Sequence, residues 1–134
     1  MADENKIFQV EIITPERVFY TGEATMIEFT SVEGDMGVYK NHIPLTTVLA
    51  PGIVTITEEE GQKKAAVHSG FAQILGDKVT LLAEIAEWPD EIDWDCAEAA
   101  KQRAEERLAA KAENLDVARA ELALRRALVR ISLR

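Results

Sequence analysis

The sequence predicts an α+β fold, in which an N-terminal antiparallel β-sandwich, residues 1–89, is followed by a C-terminal two-helix antiparallel hairpin, residues 90–134. All seven glycines and all four prolines lie at or before Pro89, and the rest of the chain is rich in alanine. Glycine supplies turn conformations and proline interrupts helices, so residues 90–134 are typical of uninterrupted helix. Before Pro89 the apolar residues recur with a period of two, as in half-buried strands.

The strands are expected at short intervals. In the first, Phe8, Val10 and Ile12 occupy alternate positions, and Pro15 follows the end of the run. The same alternation predicts further strands at 18–20, 26–29, 53–57, 64–68, 71–75 and 79–83. Separators that contain Gly61 or Gly76 can adopt the positive φ that tight hairpins need. Many short antiparallel strands at this spacing indicate a sandwich or a barrel.

Two helices are expected after this region. The first should start just after Pro89, with Asp90 or Asp93 as its N-cap. The second should begin near Asp116, which can act as a cap, because Asn114 just before it can adopt the left-handed conformation of a helix end.

The second helix has more apolar surface than one small neighbour would cover, because its apolar residues form two stripes. One stripe consists of Val117, Ala120, Leu124, Leu128 and Ile131, and the other of Leu115, Ala118, Leu122, Val129 and Leu133. A second contact surface is therefore expected on this helix.

Charge is distributed unevenly along the chain, whose formal net charge is -9. Residues 1–89 carry 6 Lys+Arg against 14 Asp+Glu, whereas residues 117–134 carry five arginines and one glutamate. This balance argues against nucleic acid, whose phosphates most of the surface would repel. It favours a partner that meets only the terminal helix.

The single cysteine, Cys96, excludes an internal disulfide and fits a reducing compartment. A buried or half-buried position in the alanine-rich helix interface is expected for it. Residues 1–6 lack the pattern of a secretory signal, and no apolar run approaches the ~20 residues that a membrane helix needs. Membrane association is therefore expected only through a partner.

Four arginines of the last helix, Arg119, Arg126, Arg130 and Arg134, are spaced so that they share one face. Their guanidinium groups suit carboxylates or phosphates. Two alternatives are open: an external acidic partner, or pairing with acidic residues of the first helix. The acidic candidates on that helix are Asp95, Glu98, Glu105 and Glu106.

The sequence offers no arrangement for catalysis. His42, His68 and Cys96 fall in different elements, and no nucleophile can be paired with a base. The ligand clusters of a zinc site and the lysine of a phosphate-binding loop are both missing from the pattern. For His42, which precedes Ile43 and Pro44, a turn-stabilising hydrogen bond is the expected role.

Three segments together carry a resemblance to a known family. They are EGDMGVYKNHIPL at 33–45, PGIV at 51–54 and HSGF at 68–71, followed by the helical tail without glycine or proline. Their order and spacing closely resemble the epsilon subunit of rotary F-type ATP synthases, over essentially the whole chain. The resemblance implies a flattened sandwich of about ten strands beside a helical hairpin. It also implies a peripheral, non-catalytic, monomeric subunit at the cytoplasmic face of the bacterial membrane.

The resemblance further implies partners and roles. In the family the sandwich binds the gamma subunit and the ring of c subunits, and so couples ion-driven rotation to ATP synthesis. The hairpin can extend toward the beta subunit and block ATP hydrolysis, which would assign Arg119, Arg126, Arg130 and Arg134 to that contact. The loop that faces the c ring resembles the segment with Glu33, Asp35 and His42. These three residues are the candidates for the ring contact.

No cofactor is implied, but some bacterial members bind ATP between the helices as a regulatory ligand. Ile92 and Asp93 match the first segment of that site, and Arg126 and Arg130 match the second, while Cys96 stands where an arginine is expected. The loss of one guanidinium contact would weaken binding by about 1.5 to 3 kcal/mol. From composition alone, a ligand-binding sandwich that forms dimers through its tail is a further alternative, and it predicts a stable homo-oligomer.

Overall fold

The structure, a computed structural model, describes residues 6–110 and 116–133 of the 134-residue chain. Eight strands in these ranges precede a 3-10 turn and two helices. The strands are β1 (Phe8–Ile13), β2 (Val18–Ala24), β3 (Met26–Ser31), β4 (Gly34–Val38), β5 (Leu45–Leu49), β6 (Gly52–Glu58), β7 (Gly61–Leu75) and β8 (Lys78–Glu87). The turn is Pro89–Glu91, and the helices are α1 (Trp94–Ala110) and α2 (Val117–Ser132). The predicted sandwich followed by a helical hairpin is confirmed.

The strands are arranged in the order β2-β1-β8-β7-β5-β3-β4, and β6 pairs with β3 and β7. β1 and β8 are parallel, and the other pairs are antiparallel. The first half of β7 pairs with β6 and its second half with β5, so this long strand contributes to both layers.

The prediction of separate strands at 64–68 and 71–75 is wrong, because β7 spans both segments. It runs unbroken through Ser69 and Gly70, which have φ of 59° and 124°. A Cβ at Gly70 would meet the backbone of Leu82 and Ala83 on β8, so glycine is required there. Alternation is interrupted at this bend, which is why the sequence pattern reads as two strands. The structure describes eight strands, fewer than the roughly ten that the resemblance implies, partly because two predicted strands form one.

β4 and β5 were missed by the sequence pattern. The segment that starts at Gly34 nevertheless forms a strand, which pairs with β3 from Ser31↔Gly34 to Ile27↔Val38. Glycine and exposed residues hide the alternation in β4, and backbone pairing with β3 supplies the regular structure.

The sandwich core is formed by alternate apolar residues of the strands. Its largest fully buried apolar side chains are Phe29, Ile12, Ile27, Ile56, Ile74 and Leu81. At one end Trp88 closes the core by stacking on Phe19, with ring centroids 4.4 Å apart. Beside it the hydroxyl of Tyr20 donates to Glu58 Oε2 at 2.9 Å, and burial raises the pKa of this tyrosine.

The helix starts are set by aspartate caps. The Asp93 carboxylate accepts from the amide of Cys96 at 3.0 Å, so α1 begins at Trp94 and not directly after Pro89 as predicted. Ile92, which lies between the 3-10 turn and α1, has an extended backbone with φ of -83° and ψ of 129°. This extended residue separates the turn from the helix. For α2 the predicted cap is confirmed, because Asp116 accepts from the backbone amide at position 119 at 3.0 Å. The expectation for Asn114 lies outside the described residues.

The helices pack through alanine. Ala97 and Ala104 are the buried residues of α1, and Ala120 and Ala127 are those of α2. Each pair is seven positions apart, which is two turns of one helix face. The closest-packed face of α2 therefore lies at the edge of the first predicted apolar stripe, of which Ala120 is a member. Side chains outside it stay exposed, among them Leu128 at 43%.

Candidate functional site at the face between the sandwich and the hairpin

Ala66 and His68 show that the hairpin lies against the sandwich. Along β7 they alternate with Ala65 and Val67, which belong to the sandwich core, so their side chains point to the outer face of the sheet. Both are nevertheless 0% exposed. Because α2 contacts β6 and β7, this helix covers the outer face, and the hairpin is folded onto the sandwich.

Two of the four predicted arginines hold this docked arrangement. Arg126 Nη2 donates to Ser69 Oγ at 3.2 Å and lies 3.9 Å from Glu84 Oε2. Arg130 Nε donates to Glu87 Oε1 at 2.6 Å. These five residues are called the latch below. The partners of the two arginines lie on β7 and β8 and not on the first helix, which the sequence analysis named as one alternative. An external acidic partner stays a prediction.

Sequence reasoning missed the three latch residues of the sandwich. The available signal was the excess of acidic residues in 1–89 opposite a basic last helix. That excess predicts attraction between the two regions but does not single out Glu84 or Glu87 among fourteen carboxylates.

Within the latch, Glu87 contacts both Arg130 and the buried His68. His68 Nε2 lies 3.4 Å from Glu87 Oε1, the oxygen that also accepts from Arg130. The interaction with His68 and the hydrogen bond from Arg130 hold the pKa of the Glu87 carboxyl below its ordinary value, although burial opposes them. His68 Nδ1 and Nε2 and Arg126 Nε are buried without a hydrogen-bond partner among the described residues. The docked state therefore leaves polar atoms unsatisfied.

The other arginines of the predicted face are placed differently. Arg119 is exposed and lines a groove between the helices together with Arg103 and Arg107. Arg134 lies outside the described residues. Arg126 and Arg130 thus bind the sandwich, whereas Arg119 remains accessible in the same conformation.

An exposed apolar row crosses the other layer of the sandwich. Val48 pairs with Phe71, Phe71 with Leu82, and Leu82 with Ile13, so the four side chains form a line over β5, β7, β8 and β1. The exposed fractions are 43% for Val48, 55% for Phe71 and 49% for Leu82. Contiguous exposed apolar side chains of this kind mark interaction surfaces. The sequence signal was the pair of adjacent leucines at 81–82, which gives β8 apolar side chains on both faces.

The three predicted ring-contact residues do not lie in one cluster. Glu33 and Asp35 follow β3, where the Asp35 carboxylate accepts from Thr30 Oγ1 at 2.8 Å, and the adjacent Val32 amide donates to the Val48 carbonyl. His42 precedes β5, so the length of that strand, about 3.3 Å per residue, separates it from the turn.

The expected turn-stabilising hydrogen bond of His42 is confirmed, with Nδ1 2.7 Å from the Ile43 carbonyl oxygen. The loop exposes apolar side chains, Tyr39 at 62% and Ile43 at 79%. The exposed carboxylates of the turn and the exposed apolar groups of the loop therefore lie toward opposite ends of β5.

The fold and the order of its two parts agree with one protein family. The beta-sandwich domain of the ATP synthase delta/epsilon chain matches residues 7–89, and the long alpha-helix domain of the same chain matches residues 90–133. The chain belongs to the ATP synthase delta/epsilon family. The resemblance noted from the sequence is thereby confirmed.

Individual relatives agree with this assignment. The chain is 43% identical over 130 residues to the ATP synthase epsilon chain of Caldanaerobacter subterraneus, covering 96% of this chain and 94% of that one. It is 49% identical over 108 residues to the ATP synthase epsilon chain of Brevibacillus brevis, covering 80% of this chain and 82% of that one. As a member of this family of ATP synthase delta/epsilon chains, it is not an enzyme by itself.

Solved structures show the same fold. A chain in the Euglena gracilis mitochondrial ATP synthase matches with a TM-score of 0.83 at 21% identity, covering 98% of this chain and 83% of that one. A chain in the central stalk and c-ring structure of the Tetrahymena thermophila enzyme matches with a TM-score of 0.53 at 14% identity, covering 63% and 68%. At these identities the likeness concerns the fold alone.

The residues suggested for ATP binding in this epsilon subunit have structural partners of their own. Ile92 is 6% exposed, the Asp93 carboxylate caps α1, and Arg126 and Arg130 belong to the latch. Regulatory ATP binding stays a prediction. Cys96 is exposed, which corrects the expectation of a buried thiol. It precedes the buried Ala97, so its side chain is turned about 100° from the packed face.

Neither a metal centre nor a membrane span is found in 6–110 and 116–133. These residues hold no cluster of three or more metal-ligating side chains. None of their helices is long and apolar enough to cross a membrane.

Proposed function

We propose that this epsilon subunit couples rotation of an ion-driven c ring to ATP synthesis and restrains ATP hydrolysis through its C-terminal helices. The sandwich would attach to the gamma subunit and the c ring, at the cytoplasmic face of the bacterial membrane. The hairpin would leave the sandwich, extend along gamma and reach the beta subunit. The observation that carries the proposal is the latch, because a regulatory arm must be held weakly enough to be released.

The contributions to docking oppose one another. The charge-assisted hydrogen bond from Arg130 to Glu87 is of a kind that contributes about 1.5 to 3 kcal/mol. Each buried polar atom left without a partner costs about 1 to 3 kcal/mol, and His68 Nδ1 and Arg126 Nε are two such atoms at the docked face. Alanine contacts bury little area per residue. Docked and released states can thus be close enough in free energy for a partner to shift their populations.

The apolar row supports attachment to gamma. Its side chains lie on the layer away from α2, and all but the partly buried Ile13 remain exposed while the hairpin is docked. A rotor subunit must stay bound during both arrangements of the hairpin, so a surface independent of the hairpin suits that role. Burial of such side chains favours association by about 25 cal/mol per Å².

The edge formed by the β3–β4 turn and the loop before β5 supports contact with the c ring. Glu33 and Asp35 are exposed there, together with the apolar groups of Tyr39 and Ile43. The two carboxylates lie near one end of β5 and His42 near the other, so the proposed contact would span the length of that strand.

Removal of residues 116–134 tests the inhibitory role. We expect the assembled complex with the shortened subunit to hydrolyse ATP faster than the complex with the full chain. Subunit content must be equal in both preparations, since loss of the whole subunit would also change activity. An unchanged hydrolysis rate at equal subunit content would contradict the proposed inhibition by the C-terminal helices.

A point substitution gives a sharper version of this test. Arg119 is outside the latch, so Arg119→Ala should relieve inhibition and leave docking of the isolated subunit unchanged. Arg125→Ala, at another exposed arginine of the same helix, is the matched control. Equal hydrolysis in the two variants would remove Arg119 from the proposed beta contact.

A further inference from the structure

Ser69 lies at the bend of β7 with a backbone that residues other than glycine rarely adopt. Its φ is 59°, in the left-handed region that favours glycine, and Gly70 follows with a φ of 124°. The need for a bend explains a glycine at such a position but not a serine. Strained residues of this kind persist where the surrounding structure makes use of them.

The bend reverses which side of β7 faces the core. Before the bend Val67 belongs to the core, and after it Ala72 belongs to the core while Phe71 is 55% exposed. Strict alternation would place residues 67 and 71 on the same face, because they are four positions apart. The left-handed residues 69 and 70 therefore let one strand present its outer face to α2 in its first half and to the opposite side of the sandwich in its second half.

Arg126 of α2 contacts both strands where the bend interrupts their ladder. The register between β7 and β8 continues on either side of the bend but skips the positions of Ser69 and Glu84. Arg126 Nη2 donates to Ser69 Oγ at 3.2 Å and lies 3.9 Å from Glu84 Oε2. The two positions that the ladder skips therefore contact the same guanidinium group.

The hydroxyl of Ser69 serves the hairpin and not the sandwich. The hydrogen bond of Ser69 Oγ is to Arg126 of α2, whereas Arg126 Nε is buried without a partner among the described residues. A glycine at position 69 would allow the same bend without backbone strain and would lack the acceptor. The strain therefore lowers the stability of the sandwich, and the acceptor strengthens docking.

We propose that the bend is the docking site for Arg126 and that Ser69 is the positioning residue that determines how strongly the hairpin docks. The left-handed backbone of Ser69 holds its hydroxyl toward α2 at a cost to the stability of the sandwich. This deepens the proposed function by naming a determinant of hairpin release, and it rests on that function for its role in the assembled enzyme. Docking is measured in the isolated subunit, so this proposal and the inhibitory role can fail separately.

The first test measures the docked-to-released ratio of the isolated full-length subunit. Spin labels on cysteines introduced at Thr21 and Val117, two exposed positions, report docking by double electron-electron resonance in a Cys96→Ser background. Ser69→Ala removes the hydroxyl and keeps a side chain at the bend. The lost hydrogen bond has a charged donor whose side chain is 28% exposed, so we expect the ratio to fall about tenfold. In an Arg126→Ala background the same substitution should change the ratio by less than about twofold.

A second pair of measurements tests the backbone strain and the acceptor. Ser69→Gly and Ser69→Ala both lack the hydroxyl, so their difference in stability reports the backbone alone. We expect Ser69→Gly to unfold about 3 to 5 °C above Ser69→Ala in thermal melting. Ser69→Asn tolerates the left-handed conformation and carries an acceptor oxygen, so its docked-to-released ratio should exceed that of Ser69→Ala.

Two results would overturn the proposal. One is a docked-to-released ratio that is unchanged in Ser69→Ala, or that falls equally with and without Arg126. The other is a melting temperature of Ser69→Gly at or below that of Ser69→Ala. Ser69→Gly fits the bend without strain, so it provides the same docking test if Ser69→Ala does not fold.

Discussion

Glu87→Gln is the substitution that tests the latch most directly. Glutamine has nearly the same shape, so packing at the outer face is retained while the negative charge is lost. Arg130 then donates to a neutral oxygen, whereas in the wild type its Nε lies 2.6 Å from a carboxylate oxygen. The interaction with His68 is weakened in the docked and the released state alike, so the main differential effect concerns Arg130.

The magnitude follows from the two kinds of hydrogen bond. A bond to a charged group contributes about 1.5 to 3 kcal/mol and a neutral one about 0.5 to 1.5 kcal/mol, so their difference is about 1 to 1.5 kcal/mol. Both side chains are 24% exposed, and solvent screening favours the lower end. We expect a loss of about 1 kcal/mol, or roughly a fivefold fall in the docked-to-released ratio.

Spin labels on cysteines introduced at Thr21 and Val117, two exposed positions on β2 and α2, measure this ratio by double electron-electron resonance in a Cys96→Ser background, at neutral pH and low ionic strength. Glu84→Gln is the matched control, because its carboxylate is 68% exposed and lies 3.9 Å from Arg126. Exposed pairs of this kind contribute about 0 to 1 kcal/mol, so the control should change docking less. If the hairpin inhibits hydrolysis, complexes with Glu87→Gln should hydrolyse ATP more slowly, opposite in sign to removal of 116–134.

The pH dependence gives a second criterion for Glu87. Its pKa is lowered by His68 and by Arg130, so the ionised carboxylate stabilises docking above its ordinary pKa of 4.5, and this contribution is lost as the pH falls through the lowered value. Wild-type docking should therefore weaken below about pH 4.5, and the glutamine variant should lack that step. Docking as strong in Glu87→Gln as in the wild type would refute the reasoning about the latch.

Three further substitutions test other parts of the molecule. Gly70→Ala places a Cβ against the backbone of Leu82 at a φ of 124°. It should destabilise the sandwich by more than about 3 kcal/mol in thermal unfolding. A melting temperature near that of the wild type would contradict the need for glycine. Phe71→Asp, at a side chain 55% exposed, should weaken binding to gamma in a pull-down while leaving the isolated fold intact, and undiminished binding would exclude the apolar row as the contact. Asp35→Arg should weaken assembly onto the c ring with the fold unchanged, and equal recovery with the ring would remove this residue from the contact.

Much of the fold was predictable because its signals are local. Asp116 was identified as a helix cap from its residue type and position, and the structure gives it that role. The end of the sandwich near Pro89 follows from where glycine and proline stop. β4 was missed because its regularity depends on pairing with β3, and the alternation within its own five residues is weak.

The candidate site was only partly predictable. Arg126 and Arg130 were singled out from their spacing, which the helix geometry fixes at one face. Their partners were not predictable, since Ser69 is 57 positions from Arg126 and Glu87 is 43 positions from Arg130. His68 lies on the outer face of its strand, and it became buried only because another element covers that face.

The sequence by itself determined the family, the succession of sandwich and hairpin, and which helix carries the cationic face, because motif order, periodicity and residue chemistry are written along the chain. Only the tertiary structure decided that the hairpin lies on β6 and β7 and that Glu87 contacts both His68 and Arg130. The physical reason is that charge attraction is not specific to a residue pair at long range. Specific pairing arises when packing removes water and fixes distances between residues that are far apart in the chain.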